Sequence, residues 1–284
     1  GRFYSAIGYL NQQHPHEWDI ADAPLIYRGM FANQLLDDGV QFNYLAPTDT
    51  YLLFGAELAS GSRFPGSGNH SGVGAWTVYA NIGGDIGVSH SWLFGLSHWQ
   101  ADDVDGRESE GHDHGDDHAE EHMETASFTG ESKINALNFV YKWAPNGNSS
   151  EQNFKFQFEY FDRDEDGNIT MEGSDPLEMS TYDGNQYGWY AQARYQFRPQ
   201  WATALRYDRL GSNNRGSDTE ILAEAGLDDE GHTPQRYSAM VEWLPSEYSR
   251  IRLQYNYDQS YAETDNQVFL QYTMSLGTHG AHRF

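Results

Sequence analysis

The stretch from Asn153 to Asp162 reads NFKFQFEYFD. Phe154, Phe156, Phe158 and Tyr160 alternate with Lys155, Gln157 and Glu159. A strand points successive side chains to opposite faces, so one face is apolar and the other charged. A soluble sandwich favours Val, Ile and Leu on its covered face, whereas a lipid-facing strand favours bulky aromatics and turns its polar partners to a lumen. One strand does not choose between these. A dozen with the same habit do, if the connections between them follow a barrel's rhythm.

Working outward, the alternation recurs at Val40, Phe42 and Tyr44, at Leu137, Phe139, Tyr141 and Trp143, at Trp189 to Phe197, and at Ile251 to Tyr257, giving an expected twelve strands. Tight turns at Pro47, Gly83 to Asp85, Pro145 to Asn148, Pro199 and Pro245 alternate with longer polar connections at 8–38, 60–72, 102–131, 163–185 and 211–233, where Asp218 to Leu227 predicts a short helix. Short turns on one side and long loops on the other are the asymmetry of an outer-membrane barrel. Trp76, Trp92, Trp143, Trp189, Trp201 and Trp243 fall near strand ends, where interfacial aromatic girdles belong.

The composition agrees with this reading. A mean hydropathy of -0.75 over 284 residues suits a sheet with half its side chains facing water, and no run approaches the roughly 18 apolar residues of a spanning helix. Acidic residues outnumber basic ones 42 to 17, for a net charge of -25. Nucleic acid is thereby a poor partner and cations a natural one. The absence of cysteine removes thiolate sites and disulfides. With no linker composition, residues 1–284 read as one barrel containing a His/Asp/Glu-rich outer loop at 102–131. The start at Gly1 inside a strand-like GRFYSAIG predicts a processed chain or a fragment of a barrel with more strands.

Three features could carry chemistry. Residues Gly111 to Thr125, GHDHGDDHAEEHMET, set His112, His114, His118 and His122 among Asp113, Asp116, Asp117 and Glu121. Imidazole with carboxylate suits zinc, and the redundancy of ligands points to weak, fast, multi-ion capture rather than one fixed centre; the alternative is a solvated acidic loop. The segment Asp162-Arg-Asp164-Glu-Asp166-Gly-Asn168 copies the first half of a calcium loop but has Gly173 where the final Glu belongs, so a hairpin tip competes with a calcium site. The alternation also turns Lys142, Lys155, Arg194, Arg206, Arg250 and Arg252 inward, with Glu57, Glu159, Asp208 and Glu242 as counter-charges. Such a stripe either selects anions or salt-bridges across and fills a narrow barrel. Neither a nucleophilic triad nor a phosphate-cradling glycine loop emerges, so no enzymatic activity and no organic cofactor are expected.

The segments GRFYSAIGYLNQQHPHEWD, DDGVQFNYLAPTDTYLLFGAEL, GGDIGVSHSWLFGLS, FVYKWAPNGN, QYGWYAQARYQF and the tail LQYTMSLGTHGAHRF resemble bacterial outer-membrane proteins described as zinc-regulated, TonB-dependent-receptor-like or porin-like. The resemblance covers most of the chain and implies an outer-membrane barrel associated with zinc acquisition. A TonB-dependent receptor would carry a plug domain and an energy-coupling box; this chain shows neither pattern, and passive passage is the more economical expectation. The reading is thus an all-β, antiparallel transmembrane barrel in the bacterial outer membrane. It would contact lipid, pass divalent metal with the His-rich loop and His14 and His16 near its outer mouth, and be open to homo-oligomerisation. An anion-selective, phosphate-type porin and a non-conducting surface barrel are the alternatives.

Overall fold

The computed structural model describes residues 1–68, 71–108, 125–174, 176–228, 231–246 and 248–274. Alternating sequence makes strands, and the strands pair with their chain neighbours into one antiparallel sheet of twelve. In order these are β1 (Arg2–Tyr4), β2 (Leu36–Leu45), β3 (Tyr51–Ala59), β4 (Ala75–Ile86), β5 (His90–Glu108) and β6 (Thr125–Trp143). There follow β7 (Asn153–Glu172), β8 (Glu178–Arg198), β9 (Trp201–Gly216), β10 (Gln235–Ser246), β11 (Ser249–Gln259) and β12 (Asp265–Met274). Among the described residues two short α-helices interrupt them, α1 (Leu25–Phe31) and α2 (Thr219–Glu224). Asp218 starts α2 by accepting the backbone N–H groups of Glu220 and Ile221, an N-cap of the usual kind.

The two faces differ as the alternation requires. Phe42, Leu96, Leu205, Val241, Leu253 and Leu270 project outward and are exposed, Leu270 to 77%, while Glu57, Gln157, Glu159, Asp208, Arg236 and Arg252 lie inward with at most 1% exposure. An apolar belt round every strand with buried ions behind it is an inverted soluble protein, and hydrocarbon is the solvent that makes it stable. Aromatic rings mark the belt's edges. Trp201 stacks on Trp243 at 6.4 Å beside the short turns, and Trp189, Tyr207 and Tyr237 form a ladder further up, with centroids 5.2 and 4.6 Å apart. On β7 the outward rings end at Tyr160 and give way to Asp162, Asp164 and Asp166.

Four expected boundaries are corrected. β5 to β8 have 19, 19, 20 and 21 residues, well beyond the roughly 9–11 that cross a bilayer. Their ends project past the belt as paired ribbon: Val104 pairs with Gly130 and Arg107 with Phe128, and the β7–β8 ladder continues to Met171 opposite Glu178. Residues 102–108 and 125–131 of the first expected loop, and 163–172 and 178–185 of the second, are therefore strand. The turn placed at Gly83 to Asp85 lies inside β4, which runs on to Ile86. The fourth correction concerns the connection from Gly8 to Asp38, which turns into the sheet's concave side.

Candidate functional site in the barrel interior

Residues 5–35 occupy the interior as a compact loop whose ends meet. Ser5 N–H donates to the Leu35 carbonyl at 3.0 Å, and the Asn11 side chain ties both ends, donating to the Ser5 and Leu35 carbonyls at 2.8 and 2.9 Å and accepting from Leu35 N–H at 2.8 Å. Such a segment buries backbone N–H groups that a lumen must satisfy. Inward carboxylates do so. Glu57 of β3 accepts from the Ala6 N–H at 2.7 Å and the Ser5 hydroxyl at 2.6 Å. Glu159 of β7 accepts from the N–H groups of Tyr9 and Leu10 at 2.8 and 3.0 Å, from the Tyr27 hydroxyl at 2.9 Å, and from the Tyr190 hydroxyl. Asp208 of β9 accepts from the Leu25 N–H at 3.0 Å, which satisfies the first turn of α1.

Gly8 makes the close approach to Glu159 feasible. Its φ is +70°, and a Cβ there would lie 2.4 Å from the Glu159 carboxylate. Above this point Tyr27 and Phe31 of α1 pack on Phe161 at 5.2 and 5.5 Å, and Ile221 and Leu222 of α2 join the same buried cluster with Phe128, Ile169 and Tyr182, beside a buried ionic cluster in which Glu165 meets Arg107 at 2.7 Å and Arg163 at 3.6 Å. The segment thereby touches β3, β7, β8, β9, β10 and β11, so the sheet curls round it.

Two acids of the segment dock on inward cations. Asp22 meets Arg206 at 3.0 Å and Arg236 at 2.9 Å, and accepts from Gln254 and Asn256 at 2.6 and 3.2 Å. Asp19 meets Lys155 at 3.0 Å and Arg194 at 3.7 Å, with Gln192 donating at 3.3 Å. Burial alone would raise both carboxyls; Lys155 and Arg194 for Asp19, and Arg206 and Arg236 for Asp22, hold them below the ordinary carboxylate range. Burial beside Glu159 drives the Tyr27 hydroxyl the other way, well above its usual value.

The structure brings the sequence-predicted stripe together. Lys142, Lys155 and Arg194 stand side by side across β6, β7 and β8; Arg206 pairs with Asp208 at 2.9 Å; Arg252 and Arg194 both reach Glu242 at 2.8 Å, and Arg250 approaches it at 3.8 Å. Sequence reasoning missed Asp19, Asp22, Arg236 and Asp258. Arg236 was open to discovery, since it shares the parity of Ser238, Met240 and Glu242 on β10.

The calcium-loop expectation is corrected. Asp162, Asp164, Asp166 and Asn168 lie along one face of β7, opposite Asn135, Lys133, Glu131 and Thr129 of β6. Extended backbone spaces them apart instead of folding them round an ion, and Asn185 donates to Asp162 and Asp164. Among the described residues no group of three or more His, Asp or Glu is arranged to hold a metal. His112, His114, His118, His122, Asp113, Asp116, Asp117 and Glu121 lie outside the described residues. His14 and His16 stack on each other at 5.4 Å, with Tyr4 edge-on to His14.

No family model matches the chain. It is 29% identical over 303 residues to a protein of Aquifex aeolicus (strain VF5) that bears the name "Uncharacterized protein", an alignment covering all of this chain and 59% of that one. The chain thus spans about three-fifths of that relative's length. Among solved structures it is similar to OmpT, an outer membrane protein of Vibrio cholerae. The in-vitro folded form matches with a TM-score of 0.49 at 10% identity over 94% of this chain and 65% of that one; the outer-membrane expressed form matches with 0.49 and 10% over 90% and 64%. The inverted surface and the curled antiparallel sheet make this an outer-membrane β-barrel protein of bacterial type. The expectation that the chain is no enzyme is withdrawn: chemistry resides in sites rather than folds, and a barrel gives no ground for excluding catalysis.

Proposed function

We propose that the protein is an outer-membrane channel of the porin type, narrowed from within by residues 5–35 and favouring small anions. The observation that carries this reading is the inward row of Lys142, Lys155 and Arg194, continued by Arg250 and Arg252 near the short-turn end. Rings of one charge sign at a constriction set which ion passes. The segment fills much of the interior with the buried side chains of Ile7, Leu10, Ile26, Tyr27 and Phe31, which supports a narrow passage over a wide one.

Zinc acquisition is the second reading, and the His112 to His122 tract favours it through its ligand chemistry. There the outer loop would concentrate the ion, and the channel would pass it bare or within an anionic chelate. One planar-bilayer series addresses both. Under a salt gradient the channel reading expects a reversal potential of anion-selective sign. The zinc reading expects micromolar zinc on one side to alter the current, and the effect to vanish when residues 111–124 are deleted. Cation selectivity would sink the first; a zinc response unchanged by the deletion would remove the tract from the second.

A further inference from the structure

The outer half of the wall has a gap between β9 and β10. β8 and β9 stay paired as far as Tyr182 opposite Gly216. β10 joins β9 only from Gln235 opposite Arg209, with one further bond from the Leu210 N–H to the Pro234 carbonyl. From Gly211 to Gly216 the β10 side of β9 therefore has no strand partner among the described residues. The connection between these strands turns inward instead: Ile221 and Leu222 of α2 join the buried cluster, and the Leu227 carbonyl accepts from the Asn214 side chain at 2.7 Å.

A cavity of about 410 Å³ opens at this gap, a volume within the range of small-molecule sites. Ile26 and Met30 of α1 border it with the inward side chain of Leu210, and so do Tyr187 and Gly211, which have the outward parity of Trp189 and Tyr207 on β8 and β9. Residues of both faces border one space only where the sheet has an edge. Gly211 is needed there, since a Cβ would lie 2.8 Å from the Tyr187 ring that lies across it. Tyr187 is 41% exposed and stands one outward position above Trp189 of the ring ladder. The opening is thus at the height where hydrocarbon gives way to headgroups.

The lining favours an uncharged, largely apolar molecule. Among the described residues no Lys or Arg borders the cavity, and its carboxylate, Asp228, already has a partner. The Gln186 and Asn214 amides are bonded to the Tyr182 hydroxyl at 3.1 and 2.9 Å. His232 differs: its Nε2 faces the Gln259 carbonyl at 2.9 Å, and because a carbonyl only accepts, the neutral ring carries its proton there and keeps Nδ1 as an acceptor. The face of Tyr187 offers a stacking partner to a ring. We propose that this cavity binds a small molecule of the phenol class, an apolar ring carrying one hydroxyl, which enters from the membrane interface beside Gly211 and donates to His232. The site lies apart from the basic row, so it stands or falls independently of the channel reading.

Fluorescence titration of 1-naphthol and of naphthalene onto the barrel in lipid nanodiscs at pH 8, with empty nanodiscs as the baseline for partition into lipid, tests it. Wild type is expected to bind 1-naphthol saturably, and 1-naphthalenesulfonate is expected not to bind. Leu210→Trp, which fills the cavity, is expected to lose the saturable component. His232→Leu is expected to weaken 1-naphthol several-fold, the worth of one hydrogen bond, and to leave naphthalene unchanged. Partition alone in wild type, or wild-type affinity in folded Leu210→Trp, would overturn the site. Should Leu210→Trp not fold, His232→Leu decides, because its substitution lies in a connection and not in a strand: an unaltered preference for 1-naphthol over naphthalene would overturn the assignment. A phospholipid retained by wild type in native mass spectrometry, with no 1-naphthol bound, would assign the cavity to lipid and overturn it as well.

Discussion

Replacing residues 5–35 with an Asn-Gly turn is expected to raise single-channel conductance several-fold. The excision is conservative for the sheet because the segment's ends already touch: Ser5 N–H donates to the Leu35 carbonyl, and Tyr4 pairs with Leu36 in the β1–β2 ladder. An Asn-Gly type I′ turn closes such a hairpin without splaying it. The segment's burial of Ile7, Leu10, Trp18, Ile26, Tyr27 and Phe31 inside the curled sheet is what fills the lumen. Once it is gone, Glu57, Glu159 and Asp208 lose the N–H groups they bind and take water instead, so the opened interior is wet and conducts. Loss of Asp19 and Asp22 also removes two acids from among the lumen cations, and the anion preference should strengthen. Conductance equal to wild type in a folded excision variant would show that the segment does not limit passage.

The second large effect is expected at Glu159. Its carboxylate receives two backbone N–H groups and two tyrosine hydroxyls, all in the buried interior. Glu159→Ala strands these donors, each unsatisfied group costing about 1–3 kcal/mol. Partial water entry discounts the sum, leaving an expected destabilisation on the order of 3–5 kcal/mol. The loss falls first on the segment's own docking, so amide hydrogen exchange at Tyr9 and Leu10 should accelerate before the strands' ladders lose protection. Glu159→Gln keeps one acceptor and should lose less. Unchanged exchange at Tyr9 and Leu10 in Glu159→Ala would mean that the wall carboxylate is not what anchors the segment.

The strands were legible wherever they cross hydrocarbon. On β7 the rule holds from Phe154 to Tyr160, because lipid demands rings outside while the lumen accepts Lys155, Gln157 and Glu159 within. Beyond Tyr160 the strand continues but its outer face meets water and turns acidic: Asp162, Asp164 and Asp166 point out, while Phe161, Ile169 and Met171 point in beside the buried ion pair of Arg163 and Glu165. That outward acidic row erases the aromatic signal and imitates a calcium loop. The inward charges Lys155, Arg194, Arg206 and Arg252 followed from parity alone, with their counter-charges Asp208 and Glu242; Glu57 and Glu159, expected as counter-charges too, instead bind N–H groups and hydroxyls of the interior. The inner segment did not, because its anchors are remote: Tyr9 binds a carboxylate 150 positions away, and Ala21 a side chain 233 away. No local period encodes such contacts, so Asp19 and Asp22 read as ordinary loop acids.

The account depends most on which way the β7 rings face, and the absence of cysteine permits a clean measurement. Single cysteines at positions 154 to 160, spin-labelled in bilayers, report collision with oxygen in lipid and with a water-soluble nickel chelate. Accessibility is expected to alternate with a period of two, with oxygen dominant at Phe154, Phe156, Phe158 and Tyr160 and the intervening sites shielded from lipid. Uniform accessibility along the stretch, or nickel dominance at the ring positions, would contradict it.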